Sequence, residues 1–295
     1  MPVRHLASWT QGGLLMKSTT TLRQLLARSG MLVVPGAHDV MTARIVEAEQ
    51  FEAVYLGGFA ASASALGIPD HSLITMTELL DHARNVAAAV NIPILADIDD
   101  GGGTPLSVRR TIRLAEQAGL AAVHVEDLVP GKHFVGFKDK LFSKEQAVDK
   151  IKAAVDARTD PDFVIIARSD AIGVTSLDDA LERGQAYAEA GADMVFLPYL
   201  RAKDTKRVVE ALSKPLFNVI IDTPQSELVP TGLKVAAYPV QSLFIAYKAV
   251  RDMVRELKGS GTIANWAQRT PSFDEFNDFI GANEATEQAK RYRIV

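Results

Sequence analysis

Short apolar runs rich in β-branched residues recur along this chain, spaced roughly 25 to 40 residues apart with amphipathic helical stretches between them. This alternation constrains the fold more than any other feature. The runs are residues 31–35, 53–58, 93–99, 121–127, 163–170, 192–198, 216–221 and 235–240. Three share one junction, a helix ending in an Ala-Glu pattern before an apolar strand: AEQFEAVYL, AEQAGLAAVHVE and AEAGADMVFL. Gly119 and Gly191 stand where a left-handed helix C-cap is expected. The runs are almost continuously apolar, as strands buried on both faces must be, and parallel neighbours then require right-handed crossovers. Eight βα units predict an α/β fold, a (β/α)8 barrel of the TIM type; an open doubly wound sheet is the alternative. No Gly-, Pro- or Ser-rich linker divides the units. Residues 17–295 therefore read as a single barrel with a C-terminal helical extension, and residues 1–16 as an N-terminal arm, with Met16 a candidate start of the ordered domain. The stretch 240–258 predicts a long helix and the segment after Trp266 a polar helical tail, for which docking on a neighbouring subunit is one use.

Composition narrows the partners. A net charge of -4 without long like-charge runs leaves no electrostatic footprint for nucleic acid or an anionic membrane, so a small molecule is the expected ligand. Neither a signal-peptide core nor an apolar run of spanning length is present, which predicts a cytoplasmic protein. The chain has no cysteine, which removes disulfides, thiolate metal sites and thiol catalysis together.

In a barrel of this kind chemistry sits at the C-terminal strand ends, and acidic residues gather there. Run three ends in Asp97, Asp99 and Asp100, run four in Glu126 and Asp127, run five in Arg168, Ser169 and Asp170. Buried carboxylates cost several kcal/mol unless paired, so their clustering asks for a cation. In ADIDDGGG, residues 96–103, Asp97 and Asp99 are two apart and share one strand face. Oxygen-only ligands of high negative charge suit Mg2+, with Mn2+ as the alternative, and Glu126 on the next strand is placed to hold a water of the ion. The three following glycines permit positive φ and close backbone approach. Gly57, Gly58 and Phe59 end run two, where Gly58 and Phe59 can offer backbone N–H groups to a carboxylate. Arg168 follows an apolar run and needs an anion, either a substrate carboxylate or one of the strand-end acids. Tyr238, at the end of run eight, and His38, at the end of run one, are candidates for the barrel mouth. His124 is expected to face the helices, out of phase with Glu126.

The segments YLGGFAASASALGIPD, ADIDDGGG, HVED and IIARSDA, taken in this order, resemble the isocitrate lyase/phosphoenolpyruvate mutase superfamily, and the resemblance extends over most of residues 22–259. It implies a (β/α)8 barrel with its C-terminal helix swapped between subunits, a homotetramer, Mg2+, and a small anionic carboxylate substrate reacting through an enolate. By position, Asp97 and Asp99 would hold Mg2+ directly or through water, and Glu126 a bound water. Gly58 and Phe59 would donate N–H groups to the substrate carboxylate, Asp70 would lie near the reacting centre, and Arg168 would bind the substrate anion.

The sequence also departs from that pattern. The family's lyases carry Lys-Arg-Cys-Gly-His after strand four; here the stretch is Lys132-His133-Phe134-Val135-Gly136. The lysine is kept and the acid/base cysteine is a phenylalanine. Gly57 stands where many members have Ser, and Pro198 where lyases have Glu. Lys132 or His133 is then left as general acid, since imidazole as a class titrates near neutral pH. The leading reading is a Mg2+-dependent carbon–carbon lyase of a 2-oxo or 2-hydroxy di- or tricarboxylate, like oxaloacetate decarboxylase or methylisocitrate lyase. A phosphorus–carbon enzyme, and a silent carboxylate-binding homologue, are the competing readings.

Overall fold

The structure, a computed structural model, describes residues 16–294; the expected N-terminal arm lies almost wholly outside them. The apolar runs form eight strands: β1 (Leu32–Pro35), β2 (Val54–Leu56), β3 (Ile94–Asp97), β4 (Ala122–Glu126), β5 (Val164–Arg168), β6 (Met194–Phe196), β7 (Leu216–Asn218) and β8 (Val235–Tyr238). They pair in parallel in the order β1-β8-β7-β6-β5-β4-β3-β2. The ring is completed where Gly36 bridges Tyr55 and Ala37 N–H donates to Tyr55 O at 2.9 Å. The result is a (β/α)8 barrel rather than an open sheet.

Helices alternate with these strands: α1 (Ser18–Ala27), α2 (Val40–Ala48), α3 (Gly58–Leu66), α4 (Met76–Ala87), α5 (Pro105–Gln117), α6 (Lys144–Ala157), α7 (Ala171–Val174), α8 (Leu177–Glu189), α9 (Ala202–Ala211) and α10 (Gln225–Leu228). Their starts follow local chemistry. Thr75 and Ser143 make capping boxes with Glu78 and Gln146, and Asp39, Thr104 and Ser176 cap their helices with side-chain oxygens. Gly119 and Gly191 have φ of 84° and 104°, the left-handed exits expected of them.

Strand alternation divides the apolar residues into two layers. Val34, Tyr55, Leu95, Ile166, Phe196 and Phe217 fill the barrel interior together with Leu22 and Leu25 of α1. Leu56, Ala96, Val123, Val125 and Ile165 face the helices. His124 corrects the sequence reading: it is two residues from Glu126, hence in phase with it, and its ring stacks on Tyr55 inside the barrel, 5.7 Å between centroids. Strands three and five are shorter than their apolar runs, because β3 ends at Asp97 and β5 at Arg168.

Residues 243–294 group as a unit separate from 16–242. They comprise most of α11 (Gln241–Ser260), with α12 (Phe273–Ile280) and α13 (Ala282–Arg291). Within this unit Trp266 Nε1 and Asn265 Nδ2 both donate to the Glu256 carboxylate, at 2.9 and 2.7 Å. No residue of these three helices is buried.

Barrel closure depends on Gly36: a Cβ there would meet the Pro239 carbonyl oxygen at 2.3 Å, backbone that has nowhere to move. Gly36→Ala is expected to destabilise the barrel by about 3 kcal/mol or more, the upper end for overpacking. Chemical denaturation measures this, and a variant within 1 kcal/mol of the parent, roughly the lower end of that range, would show that the β1–β8 edge is not close-packed.

Candidate active site

The strand-end acids separate into two sets. Asp100, Asp127 and Asp170 each have a cation of their own. Lys150 of α6, itself buried, reaches Asp100 Oδ2 at 2.9 Å and sits 4.0 Å over the Phe142 ring. Asp127 accepts from Ser169 Oγ (2.7 Å), Tyr187 Oη (2.8 Å), Arg183 Nη1 (3.2 Å) and the Asp170 backbone N–H (2.9 Å). Asp170 in turn takes two parallel hydrogen bonds of 2.8 Å from Arg168 Nε and Nη2. These pairings fix loops and orient the arginine.

Asp97, Asp99 and Glu126 form the second set. All three are buried, and each offers a carboxylate oxygen within 4.8 Å of the others. The backbone explains the convergence. Asp97 ends β3, whereas Asp99 has left the strand with φ 47°, and Gly101, Gly102 and Gly103 follow at φ 76°, 97° and 96°. The shared strand face inferred for Asp97 and Asp99 is therefore replaced by a turn that brings Asp99 back toward Glu126, whose N–H donates to Asp99 O at 2.9 Å. Gly58 N–H donates to Asp97 Oδ2 at 3.1 Å, and a Cβ on Gly58 would stand 3.0 Å from that same oxygen.

Lys132 enters this acidic set from the loop after β4. Its Nζ is 2.8 Å from Asp99, 2.7 Å from Glu126 and 3.6 Å from Asp70, with 1% of the side chain exposed. Burial alone would lower its pKa, but Glu126, Asp97 and Asp99 outweigh that and hold it far above the ordinary lysine value. Arg168 Nη1 closes the other side, 3.1 Å from Glu126 and 3.5 Å from Asp97. Both cations of the mouth are thus paired with the protein's own carboxylates.

The shared charge splits the carboxylates electrostatically. Burial works against an ionised Asp97, yet the His124 ring, Lys132 and Arg168 hold it well below the usual range. Burial and the Asp97 carboxylate push Asp99 up to about 7. Asp70, beside Lys132, is raised by burial, and its Oδ1 is buried without a hydrogen-bond partner, as is Glu126 Oε2. Beneath the carboxylates lies a polar column that the sequence reading missed: Tyr55 Oη is 2.6 Å from His124 Nε2, and His124 Nδ1 is 3.5 Å from Asp97. The signal available was the two-residue spacing of His124 and Glu126.

Of the remaining candidates, His133 lies on the same loop as Lys132, its ring 2.8 Å from Asp139. Gly57 precedes α3 as its N-cap residue, and Phe59, in the first turn, is exposed. The Tyr238 ring packs with the cluster between β6–β8 and the outer helices, alongside Leu233 and Ala236, not with the interior residues. His38 Nδ1 is occupied by Ser242 and Thr42, at 3.2 and 3.3 Å. Asn218, at the end of β7, was not singled out from the sequence; its amide is buried with no hydrogen-bond partner.

Known proteins similar to this chain identify its family. The profile of the family described as phosphoenolpyruvate phosphomutase matches residues 22–258. The 2,3-dimethylmalate lyase of Eubacterium barkeri is 41% identical over 94% of this chain and 99% of its own. Among solved structures, a phosphoenolpyruvate phosphomutase from Streptomyces platensis subsp. rosaceus superposes with a TM-score of 0.88 at 33% identity, covering 93% of this chain and 99% of that one. A phosphonopyruvate hydrolase complexed with oxalate and Mg2+ gives 0.84 at 29%, covering 94% and 99%. The chain belongs to the phosphoenolpyruvate mutase/isocitrate lyase superfamily and is a carbon–carbon lyase of that superfamily.

Proposed function

We propose that the enzyme uses Mg2+ to cleave the C2–C3 bond of a small 2-hydroxy dicarboxylate of the 2,3-dimethylmalate kind, giving a 2-oxo acid and a carboxylate through an enolate. The convergence of Asp97, Asp99 and Glu126 carries this reading. The donor set fits a hard divalent cation: all oxygen and all buried. When bound, the ion supplies Lewis-acid stabilisation of charge developing on the substrate oxygens.

The protein groups divide the remaining work. Asp70, its carboxyl raised by burial and Oδ1 free of hydrogen bonds, accepts the 2-hydroxyl proton. Arg168, steered by Asp170, turns Nη1 toward Glu126 and Asp97, where it meets a substrate carboxylate. Gly57 and Phe59, at the start of α3, bring N–H groups to the same anion, while the Gly58 N–H beside them holds Asp97. Lys132 stays protonated and balances the acidic set. Exposed apolar residues along α11, such as Ile245, Tyr247 and Val250, support the swapped C-terminal helix and a homotetramer, and the chain's similarity to bacterial metabolic enzymes supports a cytoplasmic enzyme.

Metal-dependent pyruvate release is expected from dimethylmalate, assayed beside oxaloacetate, 2-methylisocitrate and phosphonopyruvate with an EDTA control. Oxaloacetate alone would make the enzyme a decarboxylase, phosphonopyruvate alone a phosphorus–carbon enzyme, and none a silent carboxylate binder. Asp99→Asn should weaken Mg2+ binding, read by calorimetry, by at least about tenfold; unchanged affinity removes the triad from metal binding. Lys132→Met, which leaves buried carboxylates uncompensated, is expected to cost about 3 kcal/mol in EDTA. The loss should be larger at pH 8 than at pH 6. Asp99 is pushed to about 7, so the fold retains there a proton that the unfolded chain has lost above 3.8, and stability falls as pH rises across that window. Denaturation curves at the two pH values check the trend, and the reverse order would contradict Lys132 as the counter-charge.

A further inference from the structure

Cleavage of a C2–C3 bond leaves its electron pair on C3, and that carbon must receive a proton before the carboxylate product departs. The mouth offers few donors. The chain has no cysteine. Lys132 Nζ is engaged by the Asp99 and Glu126 carboxylates, at 2.8 and 2.7 Å. Arg168 does not release a proton in proteins. Tyr55 and His124 are fully buried below the carboxylates and bonded to each other.

His133, on the loop after β4, is a donor whose setting is constrained. It follows Lys132 directly and holds φ of 61°, a left-handed conformation unusual for a residue with a side chain. Both oxygens of Asp139 fasten it there: Oδ1 accepts the His133 backbone N–H at 2.6 Å, and Oδ2 lies 2.8 Å from ring Nδ1. A carboxylate at Nδ1 orients the ring and leaves Nε2 as the nitrogen free to carry the transferable proton. The pair stands at the mouth, since His133 directly follows Lys132, whose Nζ lies 3.6 Å from Asp70. The loop is latched to the Asp70 segment by the Gly131 N–H to Ser72 Oγ, at 3.3 Å, and by the Phe134 ring against His71, 4.8 Å between centroids.

We propose that His133, oriented by Asp139, is the general acid that protonates C3; this rests on the lyase reading above. The step balances. Asp70 takes the 2-hydroxyl proton, the C2–C3 bond breaks with its electrons passing to C3, and Nε2–H of the His133 imidazolium closes the new C–H bond. His133 is left neutral with Nδ1–H on Asp139, and solvent returns one proton to His133 and takes one from Asp70. His133 is thus a catalytic residue and Asp139 a positioning residue.

The test uses full-length enzyme with Mg2+ and whichever substrate releases pyruvate. His133→Ala should lower kcat about 100-fold or more with KM within about threefold, the loss general-acid removal brings. Added imidazole should restore turnover in proportion to its concentration. His133→Gln, which keeps a side-chain N–H for Asp139, should show the same loss, so a folding defect in the alanine variant leaves the proposal testable. Asp139→Asn should lower kcat less than His133→Ala. Retention of kcat in His133→Gln, or a loss in His133→Ala that imidazole does not rescue, overturns the assignment. A parent enzyme that releases pyruvate from none of the substrates overturns the lyase reading and this inference together; a parent that works with an unaffected His133→Gln overturns this inference alone.

Discussion

The structure depends on how a barrel built from apolar strands accommodates six carboxylates at three neighbouring strand ends. Isolated buried charges of one sign cost several kcal/mol each, so every acid here needs a cation or a set of donors. Asp100 has Lys150, Asp127 has Arg183 with two hydroxyls, and Asp170 has Arg168. Asp97, Asp99 and Glu126 share what is left, Lys132 and one nitrogen of Arg168. Three carboxylates against one full and one divided cation form a site still short of positive charge, which is the electrostatic condition for holding a divalent ion.

The paired acids are not idle. Asp127 ties the end of β4 to the Ser169–Asp170 turn and to two residues of α8, so the turn after β5 is fixed by a helix that never reaches the mouth. Asp170, held by that turn, takes up two of the three Arg168 nitrogens and leaves the third directed at the metal-side carboxylates. Arginine suits this position because its planar fork serves two anions at once, which a lysine point charge cannot do.

Much of this was legible in the sequence. Eight apolar runs at regular spacing gave the barrel, and acids at consecutive run ends located the mouth. What escaped were facts about direction. The apolar runs extend past the hydrogen-bonded strands, so Asp99 was read as a strand residue sharing a face with Asp97, although a left-handed turn places it. His124 was put on the helix side although its two-residue spacing from Glu126 sets it inside. Lys150 shows no signal at all: a lysine one position before Ile151 on a helix looks solvated until the fold brings Asp100 to it. Tyr238 was assigned to the mouth by its place at a strand end, but side chains alternate, and its neighbours on that face belong to the outer layer.

The polar column inside the barrel shows why the site is rigid. Tyr55 and His124 lie among Phe196 and Phe217, where an unpaired polar group would be costly, and they satisfy each other at 2.6 Å. Burial holds His124 neutral, down to about 4, so at neutral pH it offers Asp97 a dipole rather than a charge. Asp97 is then fixed from below by the His124 ring, from the start of α3 by the Gly58 N–H, and from the turn by the Asp99 N–H at 2.9 Å. Asp99 and Glu126, by contrast, are held chiefly through Lys132, which arrives on a loop. The ligand set therefore combines one carboxylate fixed by the barrel with two whose counter-charge comes from the loop, so the segment that carries Lys132 and His133 is coupled to the charge state of the metal site.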